Sequence, residues 1–401
     1  MLSQEEVDDI ATKCVCIYDN LPKCGKPVEN EWTVLSCVVL HDRDSGKKDV
    51  VSVGTGSKCV GASKMSSQGD IMNDSHAEVF ARRSFLLFLY DNINKAIDNQ
   101  TSIFDKVNNK FKLKEHIDFI FYSSQLPCGD ASIVPVTGFE ENFGQELHSK
   151  KRHAECELTD FEGKKLKLSN DIHRTGAKCL VNSEQDPLRD GAEYHTTGVA
   201  RTKPGRGDRT LSMSCSDKLA KWVHCGIQGS LLSLLLDSPI YFKHYIFGAG
   251  VPYSKETLVR ALLTRNNNTS SPPIKPEIYQ TKQIFHKIKS EINIRPAPGS
   301  ICWNLSAPLE TEVAVQGRKL GLTKKAQCCP SKSLVISKYN IYKTFLETIA
   351  RSDQLYKSIA VDSSLDSIPY QKMKTKATKY YEHFSEVKKC FFKTWTVKPD
   401  M

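Results

Sequence analysis

The sequence predicts an α/β fold, because strand-like runs alternate along it with helix-like ones. The stretches Thr33–Leu40 and Val50–Val53 are rich in β-branched residues and read as strands. Asp118–Ser124 reads as a third strand, with Phe119 and Phe121 on one face and Ile120 and Tyr122 on the other. Ser75–Tyr90 lacks Pro and Gly and turns apolar toward its end, so it reads as a helix. Asp217–Leu236 reads the same way, with a break at Gly226–Gly229. Strands that alternate with helices build α/β domains.

Two segments read as insertions or loops. Residues 145–177 are polar and charged, and 265–300 carry an Asn run, Pro272-Pro273, and Pro296 and Pro298 around a short basic helical pattern. From Ser337 to Val397 the pattern is helical again, with many Lys and Tyr residues. No internal repeat and no clean linker interrupt the chain, so 1–401 reads as one large domain.

Composition narrows the class. The 401 residues are 39% hydrophobic and 25% charged, which is globular. The net charge of +10 favours a polyanionic partner, most simply nucleic acid, although an ordinary basic protein can carry as much. No segment reaches the roughly 20 uninterrupted apolar residues of a membrane helix, since Asp237 and Lys243 break the most apolar stretch, Gly226–Gly250. The acidic start, Met1–Ile10, does not read as a secretory signal, so nucleus or cytoplasm is the expected compartment. The 14 cysteines show no disulfide framework and are expected as thiols or metal ligands. No obligate protein partner is implied.

The chemistry concentrates in Asn73-Asp74-Ser75-His76-Ala77-Glu78. His-x-Glu at a helix start is the first half of the zinc deaminase signature: His76 ligates the metal, and Glu78 lies beside it to move protons. The second half is Leu126-Pro127-Cys128-Gly129-Asp130, read as a strand-to-helix turn whose helix N-terminus favours a thiolate. The common continuation Cys-x-x-Cys is missing, because Ala131 stands there. Residue types alone leave three sources for a third ligand: Cys215, just ahead of a helix that Ser216 or Asp217 can cap; His153-x-x-Cys156, in a polar segment; and the adjacent Cys328-Cys329, poorly spaced for one tetrahedral ion.

Several longer strings resemble one family. Gly54-Thr55-Gly56-Ser57-Lys58-Cys59, Asn-Asp-x-His-Ala-Glu followed by Arg82-Arg83, Pro-Cys-Gly-Asp-Ala, Ser212-Met213-Ser214-Cys215-Ser216-Asp217-Lys218 and Gly226-Ile227-Gln228-Gly229-Ser230 look like the adenosine deaminase domain shared by ADAR enzymes and tRNA-specific adenosine deaminases. The resemblance runs from about Gly54 to Lys398. It implies a cytidine-deaminase-like core, a mixed sheet flanked by helices, with additional C-terminal helices packed on it. It also implies that His76, Cys128 and Cys215 hold zinc, that Glu78 is the catalytic proton shuttle, and that Ser57 and Lys58 contact the target nucleotide.

The same resemblance implies a buried inositol hexakisphosphate. Matched positions are Asn73, Arg82, Arg83 and Ser212, then Lys218, Lys221 and Ser230, and in the last third Lys338, Tyr370, Lys374, Tyr380, Trp395 and Lys398. Charge alone favours reading these cations as a solvated or RNA-facing surface; the resemblance reverses that. Asp74 and Lys203, with Lys218, are expected to relay hydrogen bonds between the polyanion and the zinc site.

Within the family the chain resembles the tRNA branch. ADARs carry duplex-RNA-binding domains ahead of the deaminase, for which strands starting near Thr33 are expected to leave no room. They also follow Arg-Thr-Lys with a Gly-Glu-Gly loop whose Glu fills the hole left by a flipped base. Here Arg201-Thr202-Lys203 leads into Pro204-Gly205-Arg206-Gly207-Asp208-Arg209-Thr210, with no Glu, and Ser132 replaces an ADAR-like Arg. The tRNA branch makes inosine at position 37, immediately 3′ of the anticodon of alanine tRNA, where an unpaired base needs no wedge to extract it. Competing readings are ADAR-like editing of duplex RNA, a silent RNA-binding scaffold, and a structural zinc domain with a fourth protein ligand.

Overall fold

The computed structural model describes residues 1–136, 171–205, 207–265, 272–307, 310–360 and 368–398. Its first element is a helix the strand-and-helix pattern above did not include, α1 at Gln4–Asn20. Ser3 and Glu6 form a reciprocal capping box at its start, and Ser-x-x-Glu is a readable helix signal. Its buried side chains, Val7, Ile10, Ala11, Cys14 and Tyr18, fall on one stripe.

The three expected strands are present as β1 (Leu35–Asp42), β2 (Lys48–Thr55) and, later, β5 (Ile117–Ser123). A short hairpin follows β2, with β3 at Ser57–Cys59 and β4 at Asp74–His76. The helix expected from Ser75 starts at Ala77 instead and runs to Ile97 as α2, because Asp74–His76 pairs in the hairpin. The helix expected over Asp217–Leu236 is split as predicted: α3 covers Cys215–Cys225, Gly226 turns out at φ 81°, and one further turn spans Gly229–Ser233. Ser214 caps α3 by accepting from Asp217 N, so neither Ser216 nor Asp217 is the cap.

Two more strands join the sheet at the apolar stretch and within the 265–300 segment: β6 (Phe242–Phe247) and β7 (Glu277–Gln280). The basic pattern after β7 forms turns rather than a helix, with Phe285 buried edge-on against Tyr18 of α1. Strands β8 (Gly299–Asn304), β9 (Glu312–Val315) and β10 (Arg318–Lys319) complete an eight-stranded sheet of order β7-β6-β5-β1-β2-β8-β9-β10. β5, β6 and β7 are parallel to one another and the remaining pairs are antiparallel, so the sheet is mixed.

Helices cover both faces. On one, Phe119 and Phe121 of β5 pack with Phe85 and Leu89 of α2 and with Trp222 of α3. On the other, Ile120 and Tyr122 pack with Val7, Ile10 and Tyr18 of α1. The period-2 alternation read in the sequence is this division. The C-terminal helices α4 (Lys338–Ala350), α5 (Tyr370–Thr375) and α6 (Thr378–Val387) join the first face through Phe345, Met373 and Val387. Most of 145–177, including His153 and Cys156, lies outside the described residues.

Candidate functional site

The site gathers at one end of the central strands, where β2 and β5 finish and α2 begins. Gly54 lets α2 lie directly on β2: a Cβ there would fall 2.2 Å from Ala81 N and 2.4 Å from Ala77 O. That contact sets His76 and Glu78 over the strand ends. His76 Nδ1 is 2.8 Å from Asp74 Oδ1 and 3.1 Å from Lys58 O, which leaves Nε2 as the outward ligand atom. The hairpin register places Ser57 opposite His76 and Lys58 opposite Ser75. The buried Ser57 Oγ has no hydrogen-bond partner.

Cys128 and Cys215 are 87 positions apart in sequence, and the fold brings them together, with Cys215 N donating to Cys128 Sγ at 3.4 Å. Cys128 also lies near enough to His76 for the imidazole to lower its thiol. Past Cys128 there is only a 3₁₀ turn, Asp130–Ser132, entered through Gly129 at φ 106°. The helix N-terminus that meets the Cys128 sulfur is therefore that of α3, not the one expected after Cys128 itself. The Cys215 thiol beside it, together with Lys203 and His76, holds Cys128 well below the usual thiol range against the effect of burial.

Glu78 is 3% exposed, and its Oε2 is buried with no hydrogen-bond partner. An uncompensated buried carboxylate oxygen is costly, and here it belongs to the acid beside the His and Cys donors. One imidazole nitrogen and two thiols around a carboxylate with an unbonded buried oxygen suit a zinc ion with an open position. His76 and Cys128 are half-buried while Cys215 is fully buried, so the site opens on the side of the first two.

Asp74 is the hub behind these groups. It accepts from Lys203 Nζ at 3.1 Å and 3.0 Å, from Lys218 Nζ, and faces His76 Nδ1. Burial alone would raise its carboxyl, but Lys203, Lys218 and His76 outweigh it and hold it well below the ordinary carboxylate range. Lys203 Nζ is also 2.8 Å from Cys215 Sγ.

Beyond Asp74 lies the basic cluster. Arg82 donates to Ile227 O at 2.7 Å and Arg83 to Ile336 O at 2.5 Å, yet the buried Nη2 of Arg83 has no partner. Lys221 Nζ sits 3.4 Å from the Phe384 ring centroid, with the Tyr380 and Trp395 rings 5.6 and 5.5 Å away. Burial, with Arg82 and Lys374 nearby, pushes Lys221 down to about 7. Lys398 is also pushed to about 7, by burial and by Lys218 and Lys338. Tyr370 packs under Lys374 at 5.1 Å. Ser212 and Asn73 flank Cys59, and Ser230 is buried at the first turn after the Gly226 break. Arg82, Arg83, Lys221 and Lys398 make no ion pair with any carboxylate among the described residues.

A domain family described as the adenosine-deaminase (editase) domain matches residues 52–399. The chain belongs to this family. It is an enzyme that deaminates adenosine. The tRNA-specific adenosine deaminase 1 of Drosophila melanogaster is 36% identical to it over 406 residues, covering 98% of this chain and 95% of that protein. The human protein of the same name is 33% identical over 495 residues, covering 98% of each. The double-stranded RNA-specific editase Adar of Drosophila melanogaster is 33% identical over 232 residues, covering 56% of this chain and 31% of that protein.

The deaminase also holds residues that motif reading passed over. Each cysteine is followed two places later by an aspartate that is 1% exposed. Asp130 accepts from Gly198 N at 2.7 Å and pairs with Arg260 at 3.2 Å. Asp217 accepts from Arg201 N at 3.0 Å and from Arg265 Nη1 at 2.5 Å. The repeated Cys-x-Asp was the available signal. A separate group, Asp42, Asp44 and His116, sits at the opposite end of β1; Asp42 already caps the turn amides of Asp44 and Ser45, and none of the motif residues is near it.

Proposed function

We propose that the enzyme is a zinc-dependent tRNA deaminase that converts the adenosine 3′ of the anticodon of alanine tRNA to inosine. The observation that carries the chemistry is Glu78: a buried carboxylate oxygen without a partner, set among His76, Cys128 and Cys215. A zinc ion held by those three side chains supplies the Lewis acidity that makes water nucleophilic near neutral pH. Glu78 takes one proton of the attacking water and delivers it to N1 of adenine, then takes the second from the new C6 hydroxyl and passes it to the departing amine, so that the C6 carbonyl forms, the C–N bond breaks, ammonia leaves and inosine remains. Asp74 orients His76 through Nδ1, and Lys203 stabilises the Cys215 thiolate. We assign the contact with the target nucleotide to Ser57 and Lys58, which pair with His76 and Ser75 in the hairpin.

The tRNA assignment is supported by the full-length relatives and by the loop after Lys203. Asp208 accepts from both the amide and the hydroxyl of Ser63, at 2.9 and 2.6 Å, and Ala62 N donates to Arg209 O. Among the described residues these bonds fold the loop back onto the Gly61–Ser63 turn, and the sequence from Pro204 to Thr210 holds no Glu to replace a flipped base. Extracting a base from a duplex costs a few kcal/mol, while an anticodon-loop base is already unpaired. Deamination of a full-length alanine tRNA transcript should exceed that of a perfect duplex by at least about a hundredfold. Comparable rates on the two substrates, mapped as inosine by sequencing, would move the enzyme to the duplex-editing branch.

Cys215→Ala should abolish zinc content, while Cys156→Ala should leave it at the wild-type level. Metal analysis of the two purified variants decides the third ligand; equal zinc in both rejects Cys215.

The basic cluster supports inositol hexakisphosphate as a structural cofactor, held by Arg82, Arg83, Lys221, Lys374 and Lys398 with Tyr370, Tyr380 and Trp395 around them. Burying several cations without counter-charge is strongly unfavourable, and one dense anion neutralises them together. Thr396 accepts no role in that charge balance but donates to Leu211 O at 2.9 Å, tying the C-terminal strand of chain to the Cys215 segment.

A further inference from the structure

We propose that Arg174 and Tyr194 form a stacking platform for a nucleobase adjacent to the reacting adenosine, which rests on RNA being the substrate. The Arg174 guanidinium lies 4.0 Å from the centroid of the Tyr194 ring. Arg174 is exposed, so its side chain is not enclosed by the fold. Tyr194 is half-buried and its ring meets His195 edge-on at 4.9 Å. Arg174 has no carboxylate partner among the described residues. A planar, weakly hydrated cation held flat on an aromatic ring is a stacking surface that any base can use.

The platform is built into the site rather than draped over it. Thr175, next to Arg174, accepts from Gly129 N at 3.3 Å, one residue past Cys128. Thr175 N donates to His195 Nε2 at 3.2 Å, which joins the two strands of chain that carry the stacked pair. His195 Nδ1 is 3.1 Å from Asp186, and fully buried Arg201 grips both Asp186 oxygens. Arg201 N in turn donates to Asp217, two residues past Cys215. On its other side, Gly176 lies against Pro204, which follows Lys203. Arg174 and Tyr194 are thus fixed, through short hydrogen-bonded links, to both cysteine segments. A base flanking the extracted adenosine would complete a Tyr194–Arg174–base stack, and the reacting nucleotide would be registered against Glu78 by its neighbour.

The test is steady-state deamination of a tRNA transcript by zinc-loaded Arg174→Ala, Arg174→Lys, Tyr194→Leu and Tyr194→Phe enzymes. Arg174→Ala and Tyr194→Leu should raise KM about tenfold, the scale of one lost base stack. Their kcat should stay within about twofold, since binding and not the chemical step is altered. Arg174→Lys keeps the charge without the planar face and should recover little, whereas Tyr194→Phe should behave as wild type. An unchanged KM in Arg174→Ala overturns the proposal. So does full rescue by Lys, which would make Arg174 a phosphate contact, and so does a fall in kcat with loss of zinc or of melting temperature, which would make the pair a buttress. Wild-type enzyme that is inactive on tRNA but active on duplex RNA would overturn the tRNA reading alone; the same KM comparison on duplex then decides the platform.

Discussion

Glu78→Gln should retain zinc, fold and RNA binding while losing turnover by a factor of about 10²–10⁴, the usual worth of a positioned general acid–base. The amide is isosteric with the carboxylate but cannot carry the proton from water to N1 and on to the leaving amine. The two-residue offset from His76 and the unpartnered buried Oε2 are the observations behind its proposed role beside, and not among, the proposed metal ligands. Zinc analysis, thermal melting and an inosine assay on the same preparation read the three properties separately. Loss of zinc and fold together would make Glu78 a structural residue, and near-normal turnover would end its role as shuttle.

Enzyme produced in cells that cannot make inositol hexakisphosphate should be unfolded or inactive, and enzyme from ordinary cells should carry the polyanion without its being added. The cluster explains why. Lys221 and Lys398 are pushed to about 7 from an ordinary 10.5, in each case chiefly by burial. Without the anion, the unfolded chain binds more protons than the folded one between about pH 7 and the ordinary lysine range, so stability rises with pH across that window. A bound polyanion restores the lysines' protons, so binding takes up protons there and affinity falls as pH rises. Mass spectrometry of the denatured protein detects the ligand, and melting curves at several pH values with and without it test the linkage. Protein from deficient cells that folds, binds zinc and deaminates tRNA normally would return the cluster to an RNA-facing surface.

The pieces legible in the sequence were those set by short-range rules. The strands β1, β2 and β5 and their two faces follow from β-branched runs with period 2. The helix break at Gly226 follows from a residue at φ 81°. His76 and Glu78 are only two positions apart in one segment, so their relation needed no tertiary contact. Strand β6 was not separable from a helix, because Tyr245, Ile246 and Phe247 are all buried and erase the alternation. The helix start was misplaced at Ser75 because hairpin pairing with Ser57–Cys59, a non-local event, claims Asp74–His76.

Local sequence determined, then, which residue types could do the chemistry and where the proposed metal ligand His76 and the proposed proton shuttle Glu78 lie. The fold decided what they face. Cys128 receives a helix N-terminus 87 residues away, Asp74 gathers Lys203 and Lys218 from two other segments, and Asp186, His195 and Arg201 lock the Arg174–Tyr194 pair beside Gly129. Those juxtapositions depend on which strands are neighbours in the sheet and on which turns end above them. Local propensity and periodicity act over a few residues, whereas a charge or a sulfur responds to whatever the packed chain brings within a few ångströms.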